Sequence, residues 1–210
     1  MSALLLVWVW PQPLTGTSFL EADVKKLVVL LLLLLGIVGG AKETTIPIGG
    51  EVPNFVLINQ SGQKVGLSDF KGRGVIVSFL YTRCPYPDKC PMIGKKLTSL
   101  AELGSKIGQA DKLQVLAITL DPAHDKPEVL KAYAQGFDEE HSNWSFLTGT
   151  EQDIARVAGA FGVLFWEENG VIEHNMRTAF IDQSGRLRLV KSGSDWKAGE
   201  FAAQIRPYLK

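Results

Sequence analysis

A short apolar segment that runs into the two cysteines of the chain constrains the fold most. Residues 75–81 are apolar or favour β-structure, which predicts a buried strand. The loop after this strand holds Cys84 and Cys90, the only cysteines among the 210 residues. Pro91 follows at once, and proline is tolerated in the first turn of a helix because its missing N–H would have no partner there. The sequence therefore predicts that a buried strand delivers two thiols to a helix start.

The predicted position of Cys90 has chemical consequences. The amino end of a helix carries a partial positive charge, which favours the thiolate form of a cysteine placed there. The thiolate is the form that binds metals and attacks disulfides. The segment therefore indicates a functional site, and a purely structural disulfide between Cys84 and Cys90 is the alternative.

The rest of the chain alternates between strand-like and helix-like patterns. Residues 55–58 and 63–67 flank a glycine-containing turn, which predicts an N-terminal β-hairpin. Asp125 and Glu128, three residues apart, are typical of a capping box that opens a helix. Helices are predicted at about 91–108, 125–136, 150–161 and 196–209, and further strands at 113–120, 144–147, 163–166, 171–172, 178–182 and 187–191.

This order predicts an α/β fold. Strands that alternate with helices form βαβ units, so the central sheet should be mostly parallel, with antiparallel strands added by the closing hairpin. The result is a thioredoxin-like arrangement with an N-terminal β-hairpin and a mixed central sheet flanked by helices. Functional groups are expected beyond the carboxyl end of the first buried strand, where Cys84 lies.

Residues 1–41 differ in kind from the remainder. Lys25 and Lys26 precede residues 27–38, which lack polar side chains, and small residues end this segment at Ala41. The pattern is typical of an export signal cleaved after Ala41, since the apolar run is shorter than the roughly 20 residues of a spanning helix. A retained membrane anchor is the alternative. A translation start at Val24 would bring the basic pair to its usual place near the beginning of a signal.

Export determines the compartment in which the remaining domain is expected to act. Residues 42–50 are predicted to be a linker and residues 51–210 the domain, which is periplasmic or tethered to the outer face of the inner membrane. Two cysteines in such a compartment can be oxidised to a disulfide. The net charge is zero and no run of Lys or Arg exceeds two, which argues against nucleic acid as a partner.

The three histidines differ in their surroundings. His124 and His141 lie in polar segments and are predicted to be surface residues. His174 comes just before the strand that forms the last hairpin. In a thioredoxin-like fold the start of that strand lies beside the loop after the first buried strand, so His174 can meet both thiols in space.

Several of these motifs together resemble the Sco/SenC family. They are residues 79–85 (FLYTRCP), the Cys90-Pro91 pair, the turn at 120–122 (LDP) and the His174 segment that runs into residues 179–182 (AFID). The resemblance covers residues 48–210. Members of this family are exported or membrane-tethered thioredoxin-fold copper proteins that help to assemble the copper centre of cytochrome c oxidase.

The resemblance implies a copper site and a set of partners. It implies that Cys84, Cys90 and His174 bind copper and that the chain is a metallochaperone, a role that some members combine with thiol–disulfide oxidoreductase activity of the Cys84–Cys90 redox pair. Its expected partners are copper donors and a cytochrome c oxidase subunit or another copper-receiving protein. The chain departs from the family in one respect: five residues separate its cysteines, where the family usually has three.

The chemistry of these side chains agrees with copper. Thiolates favour Cu(I) and imidazole also accepts Cu(II), whereas a closed structural zinc site needs a fourth ligand. Oxidation of Cys84 and Cys90 to a disulfide would release the metal. Asp121 could orient a ligand through a hydrogen bond, and a plain Asp-Pro turn is the alternative.

Two enzyme classes are alternatives to a copper chaperone. A thiol–disulfide oxidoreductase would keep the cysteines of a partner reduced, although reductases of this fold generally have two residues between their cysteines. A peroxidase of the peroxiredoxin type needs a Thr or Ser three residues before its reactive cysteine. This chain has Tyr81 and Pro87 at those positions, which argues against peroxidase activity.

Overall fold

A computed structural model describes residues 45–106, 112–137 and 143–209 of the chain. Short 3-10 turns lie at 67–70, 135–137 and 206–208. The elements in chain order are β1 (Val56–Asn59), β2 (Lys64–Gly66), β3 (Gly74–Leu80), α1 (Cys90–Lys106), β4 (Leu113–Thr119), α2 (Pro127–Ala134), β5 (Trp144–Thr148), α3 (Glu151–Ala160), β6 (Phe165–Glu168), β7 (Val171–His174), β8 (Arg177–Ile181), β9 (Leu187–Ser192) and α4 (Ala198–Ile205).

Seven strands form one mixed sheet with the order β2-β1-β5-β4-β3-β8-β9. Strand β3 pairs in parallel with β4, and β4 pairs in parallel with β5. The other four pairings in the described sheet are antiparallel, because β1 and β8 run against the strands they join. The predicted thioredoxin-like fold with a mixed sheet is confirmed, and the expectation that the sheet is mostly parallel is wrong.

The core has two layers, one on each face of the sheet. Every residue of β3 and β4 is buried, and their side chains alternate between the layers as strand geometry requires. Ile76 and Leu80 of β3 pack in the layer under α1 and α4, whereas Val77 and Phe79 pack in the layer under α3. Helices therefore cover both faces, and the buried strand β3 carries the cysteine loop at its carboxyl end.

Helix α3 begins as the sequence predicts, but α2 does not. The Thr150 hydroxyl accepts a hydrogen bond from the Asp153 N–H at 3.1 Å and caps α3. Helix α2 begins at Pro127 with Lys126 at the N-cap, and no side chain caps it. The predicted capping box is therefore wrong, because the Asp125 carboxylate is fully buried and bonds to neighbouring strands instead.

Strands β6 and β7 form a separate two-stranded sheet that carries His174 at its end. Asn169 and Gly170 connect them with φ values of 54° and 78°. Two central residues with positive φ define the type I′ turn that suits a tight hairpin, which explains the Asn-Gly pair at this place. The register puts Phe165 opposite His174, so the hairpin fixes the position of the histidine along the strand.

The predictions for the N-terminal region fall outside the described residues. They concern the export signal or anchor, the start at Val24 and the first part of the linker. No helix in the described ranges combines the length and apolar character needed to cross a bilayer.

Candidate metal centre

The two cysteines lie at the carboxyl end of β3, as the strand–loop–helix pattern predicts. Both are free thiols. Cys90 is the first residue of α1 and only 1% exposed, whereas Cys84 is partly buried in the loop before the helix. Pro91 therefore lies in the first helical turn, as expected.

Hydrogen bonding gives the two thiols different acidities. A hydrogen bond from the Cys90 thiol lowers the pKa of Cys84 to about 6, although burial opposes this shift, and backbone hydrogen bonds from Tyr86 and Cys90 add to the lowering. The same hydrogen bond, followed by burial, raises the pKa of Cys90. These pKa directions favour the thiolate at Cys84 rather than at Cys90, where the helix start predicts it. The reason is that Cys84 accepts the hydrogen bond and keeps some access to water, while Cys90 donates the bond and is buried.

His174 approaches these thiols from the hairpin. Its Nε2 lies 3.8 Å from the Cys90 Sγ, although 84 residues separate the two in sequence. Its Nδ1 lies 3.0 Å from the Asn175 carbonyl oxygen, which can only accept, so Nδ1 carries the proton and Nε2 presents its lone pair. Burial lowers the pKa of His174, which keeps the ring neutral. A neutral imidazole with a free Nε2 is the form that binds a metal.

The separation of Cys90 and His174 fits a shared metal ion. With bond lengths like those of zinc, about 2.3 Å to sulfur and about 2.0–2.1 Å to nitrogen, the two donor atoms lie about 3.5–3.8 Å apart at tetrahedral or trigonal angles. Within the described residues, no group of three or more His, Cys, Asp or Glu side chains is already arranged as a complete metal site. The Cys90 Sγ and the His174 Nε2 are therefore spaced so that both could bind one ion, and the Cys84 sulfur would have to approach them to complete a three-coordinate site.

A tyrosine hydroxyl faces the same space. Tyr81 is 2% exposed, and its hydroxyl has no hydrogen-bond partner of acceptable geometry in the described part of the chain. Burial, followed by the negative charge of nearby Cys84, raises the pKa of Tyr81. Its ring lies edge-on to the ring of His174, with 6.2 Å between centroids. The unsatisfied hydroxyl places a polar group beside the thiols in an otherwise apolar layer of the core.

Asp121 bonds to Arg83, the residue before Cys84, and not to a proposed copper ligand as the sequence suggested. Its carboxylate accepts hydrogen bonds from the Arg83 side chain, at 3.0 Å from Nε and 2.6 Å from Nη2. The Arg83 side chain is 53% exposed and that of Asp121 only 6%. Asp121 therefore contacts the residue next to Cys84 rather than the imidazole, and any influence on a ligand must pass through Arg83.

Asp125 supports the cysteine loop, and the sequence reasoning missed this role. Its fully buried carboxylate accepts hydrogen bonds from the Thr82 N–H at 3.1 Å and from the hydroxyls of Thr82 and Thr119, both at 2.5 Å. Thr82 follows β3 and Thr119 ends β4, so one carboxylate joins the ends of two parallel strands. The only sequence signal is a threonine at or just after the carboxyl end of each strand, Thr119 at the end of β4 and Thr82 two residues after β3.

Glu173 joins the hairpin to the cysteine loop. It accepts hydrogen bonds from the Tyr86 hydroxyl at 3.0 Å and from the Lys89 ammonium at 3.3 Å. The hydrogen bond from Tyr86, and then that from Lys89, lower the pKa of Glu173. The remaining histidines stay apart from the site: His124 is exposed as predicted, and His141 lies outside the described residues.

The family profile described as SCO1/SenC matches residues 46–210. The chain belongs to the SCO1/SenC family. The SCO2-like protein of Rickettsia felis is 35% identical over 151 residues, which cover 69% of each chain.

Solved structures of the family agree with the fold. The SCO1/SenC family lipoprotein of Bacillus anthracis superposes with a TM-score of 0.71 at 28% identity, covering 78% of this chain and 98% of that one. ScoI of Bradyrhizobium japonicum, solved with copper bound, gives a TM-score of 0.64 at 27% identity, covering 78% of this chain and all of that one. The family thus includes copper-binding proteins with this fold.

Proposed function

We propose that this SCO1/SenC domain binds copper through Cys84, Cys90 and His174 and delivers it to a protein that receives copper, during assembly of a cytochrome c oxidase copper centre. The observation that carries the proposal is the 3.8 Å approach of the neutral His174 Nε2 to the Cys90 Sγ. Segments far apart in sequence supply these two atoms. A site that only holds a disulfide between the two cysteines does not require an imidazole nitrogen beside one of the sulfurs.

The ligand chemistry supports both oxidation states of copper. Two sulfur ligands favour Cu(I), and the imidazole nitrogen also accepts Cu(II). Three protein ligands leave a position open, so a ligand from the recipient can bind the metal before the donor releases it. Copper is in this sense the cargo of the protein, and ease of transfer matters as much as affinity.

A second function rests on the acidity of Cys84. With a pKa of about 6, this partly exposed sulfur is mostly thiolate at neutral pH, which suits attack on a disulfide. The Cys84 thiolate would attack one sulfur of a partner disulfide and release the other as a thiolate. Cys90 would then lose its proton and attack the Cys84 sulfur of this mixed disulfide, which releases the remaining partner sulfur as a thiolate. The partner is reduced by two electrons, and Cys84 and Cys90 become a disulfide.

Anaerobic titration of the reduced protein with Cu(I) and with Cu(II) separates the two functions. We expect one equivalent of copper to bind, and binding to be lost in Cys84→Ser, Cys90→Ser and His174→Ala. His124→Ala is the matched control, because it removes an exposed histidine from the same domain. If His174→Ala binds copper like the unmodified protein and both reduce a model disulfide, the reductase function replaces the chaperone function.

We further propose that the domain is exported and acts in the periplasm or tethered to the membrane. The basic pair Lys25-Lys26 and the apolar run after it support export, and the related protein of Bacillus anthracis is described as a lipoprotein. N-terminal sequencing of the protein from a periplasmic fraction should begin at residue 42 if the signal is cleaved. A protein that stays in the cytoplasm with Met1 intact would contradict both export and the start at Val24.

A further inference from the structure

Three side chains connect the loop between the cysteines to the strand that carries His174. Tyr86 and Lys89 lie in the loop, and Glu173 directly precedes His174 in β7. The Tyr86 hydroxyl donates to one carboxylate oxygen of Glu173 at 3.0 Å, and the Lys89 ammonium donates to the other at 3.3 Å. The ammonium also lies 4.0 Å above the centre of the Tyr86 ring, so all three residues contact one another.

We propose that Tyr86, Lys89 and Glu173 form a clasp that positions the His174 imidazole against Cys90 and so controls how long copper stays bound. The three are positioning residues, since none of them is a proposed ligand. This inference deepens the proposed function and rests on it for its copper part. Its structural part, the position of His174, can be tested without metal.

The need for a clasp follows from the length of the loop. Five residues separate Cys84 from Cys90, and a loop of this length leaves its ends less constrained relative to the hairpin than a shorter loop would. Pro85 and Pro87 restrict the loop backbone, and a proline has no N–H to donate. The side chains of Tyr86 and Lys89 reach the hairpin, so the loop itself supplies the connection.

The geometry of β7 makes the clasp effective. Consecutive strand residues point to opposite faces, yet Glu173 and His174 both contact the segment 86–90. This segment therefore holds the end of the strand from two directions. The side chains of Lys89 and Glu173 are 31% and 27% exposed, so water only partly screens their attraction. Loss of either contact should loosen the hairpin relative to α1 without disturbing the core.

The first test uses the reduced, metal-free protein. Nuclear Overhauser effects between the rings of Tyr81 and His174 report whether the imidazole stays in place, because the rings meet edge-on in the intact site. We expect Glu173→Ala to weaken or abolish these effects and Glu168→Ala to leave them intact. Glu168 is the matched control, since it is an exposed glutamate on the same hairpin. The contact between Phe79 and Phe161, with centroids 5.8 Å apart, should persist in both variants and shows that the core is folded.

The second test measures copper dissociation into an excess of chelator. Glu173→Ala should release Cu(I) about fivefold to tenfold faster than the unmodified protein, the range expected for two lost hydrogen bonds to a partly exposed carboxylate. Tyr86→Phe, which changes no charge, should release it about twofold to fivefold faster. This variant separates positioning from simple attraction between Glu173 and the metal. Glu168→Ala should release copper at the original rate.

The outcomes separate the two proposals. If the ring contacts survive in Glu173→Ala, or if Tyr86→Phe and Glu168→Ala release copper at the same rate, the clasp does not position the histidine. If the unmodified protein binds no copper, the proposed function fails, and the ring contacts still decide whether the clasp holds the imidazole in place.

Discussion

Replacement of Asp125 by alanine should destabilise the domain by about 3–4 kcal/mol, because three donors would lose their acceptor and each buried, unsatisfied donor costs about 1 kcal/mol or more. The donors are the Thr82 N–H, the Thr82 hydroxyl and the Thr119 hydroxyl. Asparagine should cost less, about 1–2 kcal/mol. Its oxygen can still accept from the Thr82 N–H and Thr119, and its amide can donate to the Thr82 hydroxyl, so only the charge is lost.

Urea denaturation followed by circular dichroism measures these differences as shifts of the midpoint at constant slope. Glu128→Ala is the control, since a capping box would require an acceptor side chain at position 128, whereas the structure leaves this residue exposed on α2. The expected order of destabilisation is Asp125→Ala, then Asp125→Asn, with Glu128→Ala within about 0.5 kcal/mol of the unmodified protein. If Glu128→Ala costs as much as Asp125→Asn, residue 128 caps the helix and the buried network does not account for the role of Asp125.

Three further predictions follow from other parts of the domain. Burial opposes ionisation of Asp182, but hydrogen bonds led by that from the Ser184 hydroxyl lower the pKa of Asp182 from 3.8 to about 2. The ionised carboxylate should therefore stabilise the fold fully above about pH 4, and this stabilisation should be lost as the pH falls towards 2. The difference in unfolding free energy between the unmodified protein and Asp182→Asn should vanish near pH 2. Gly94→Ala would push a methyl group into the Phe137 ring, which should lower the free energy of unfolding, measured by thermal denaturation, by about 1–3 kcal/mol. At Gly199 the added methyl group meets nothing within 4 Å, so Gly199→Ala should raise the free energy of unfolding by about 0.5–1 kcal/mol. Alkylation of Cys84 by iodoacetamide should be half-maximal near pH 6, and a midpoint above pH 8 would contradict the hydrogen bond from Cys90.

Local patterns in the sequence predict local structure well. The apolar run at 75–81 is the buried strand β3, and Thr150 caps α3 through a hydrogen bond to the third residue of the helix. The position of Cys90 at a helix start also follows from the proline after it. Each of these features depends on residues a few positions apart, so a single short segment of sequence is enough to predict it.

Features that join distant segments could not be predicted in the same way. The sheet has more antiparallel pairings than expected because β1 joins β5 as well as β2, and no local pattern in either strand reveals the pairing of β1 with β5. Asp125 looks like a helix cap in sequence, and only the parallel pairing of β3 and β4 shows that its carboxylate lies between two strand ends. The assignment of the thiolate to Cys84 likewise needs the hydrogen bond between the two sulfurs, since the helix start by itself points to Cys90.

Electron paramagnetic resonance of the protein with one equivalent of Cu(II) tests the central claim most directly. If His174 Nε2 and the two sulfurs share one ion, the spectrum of protein labelled with 15N-histidine should show coupling to one imidazole nitrogen. That coupling should disappear in His174→Ala and persist in His124→Ala. A nitrogen coupling that survives in His174→Ala would place the copper elsewhere and contradict the account.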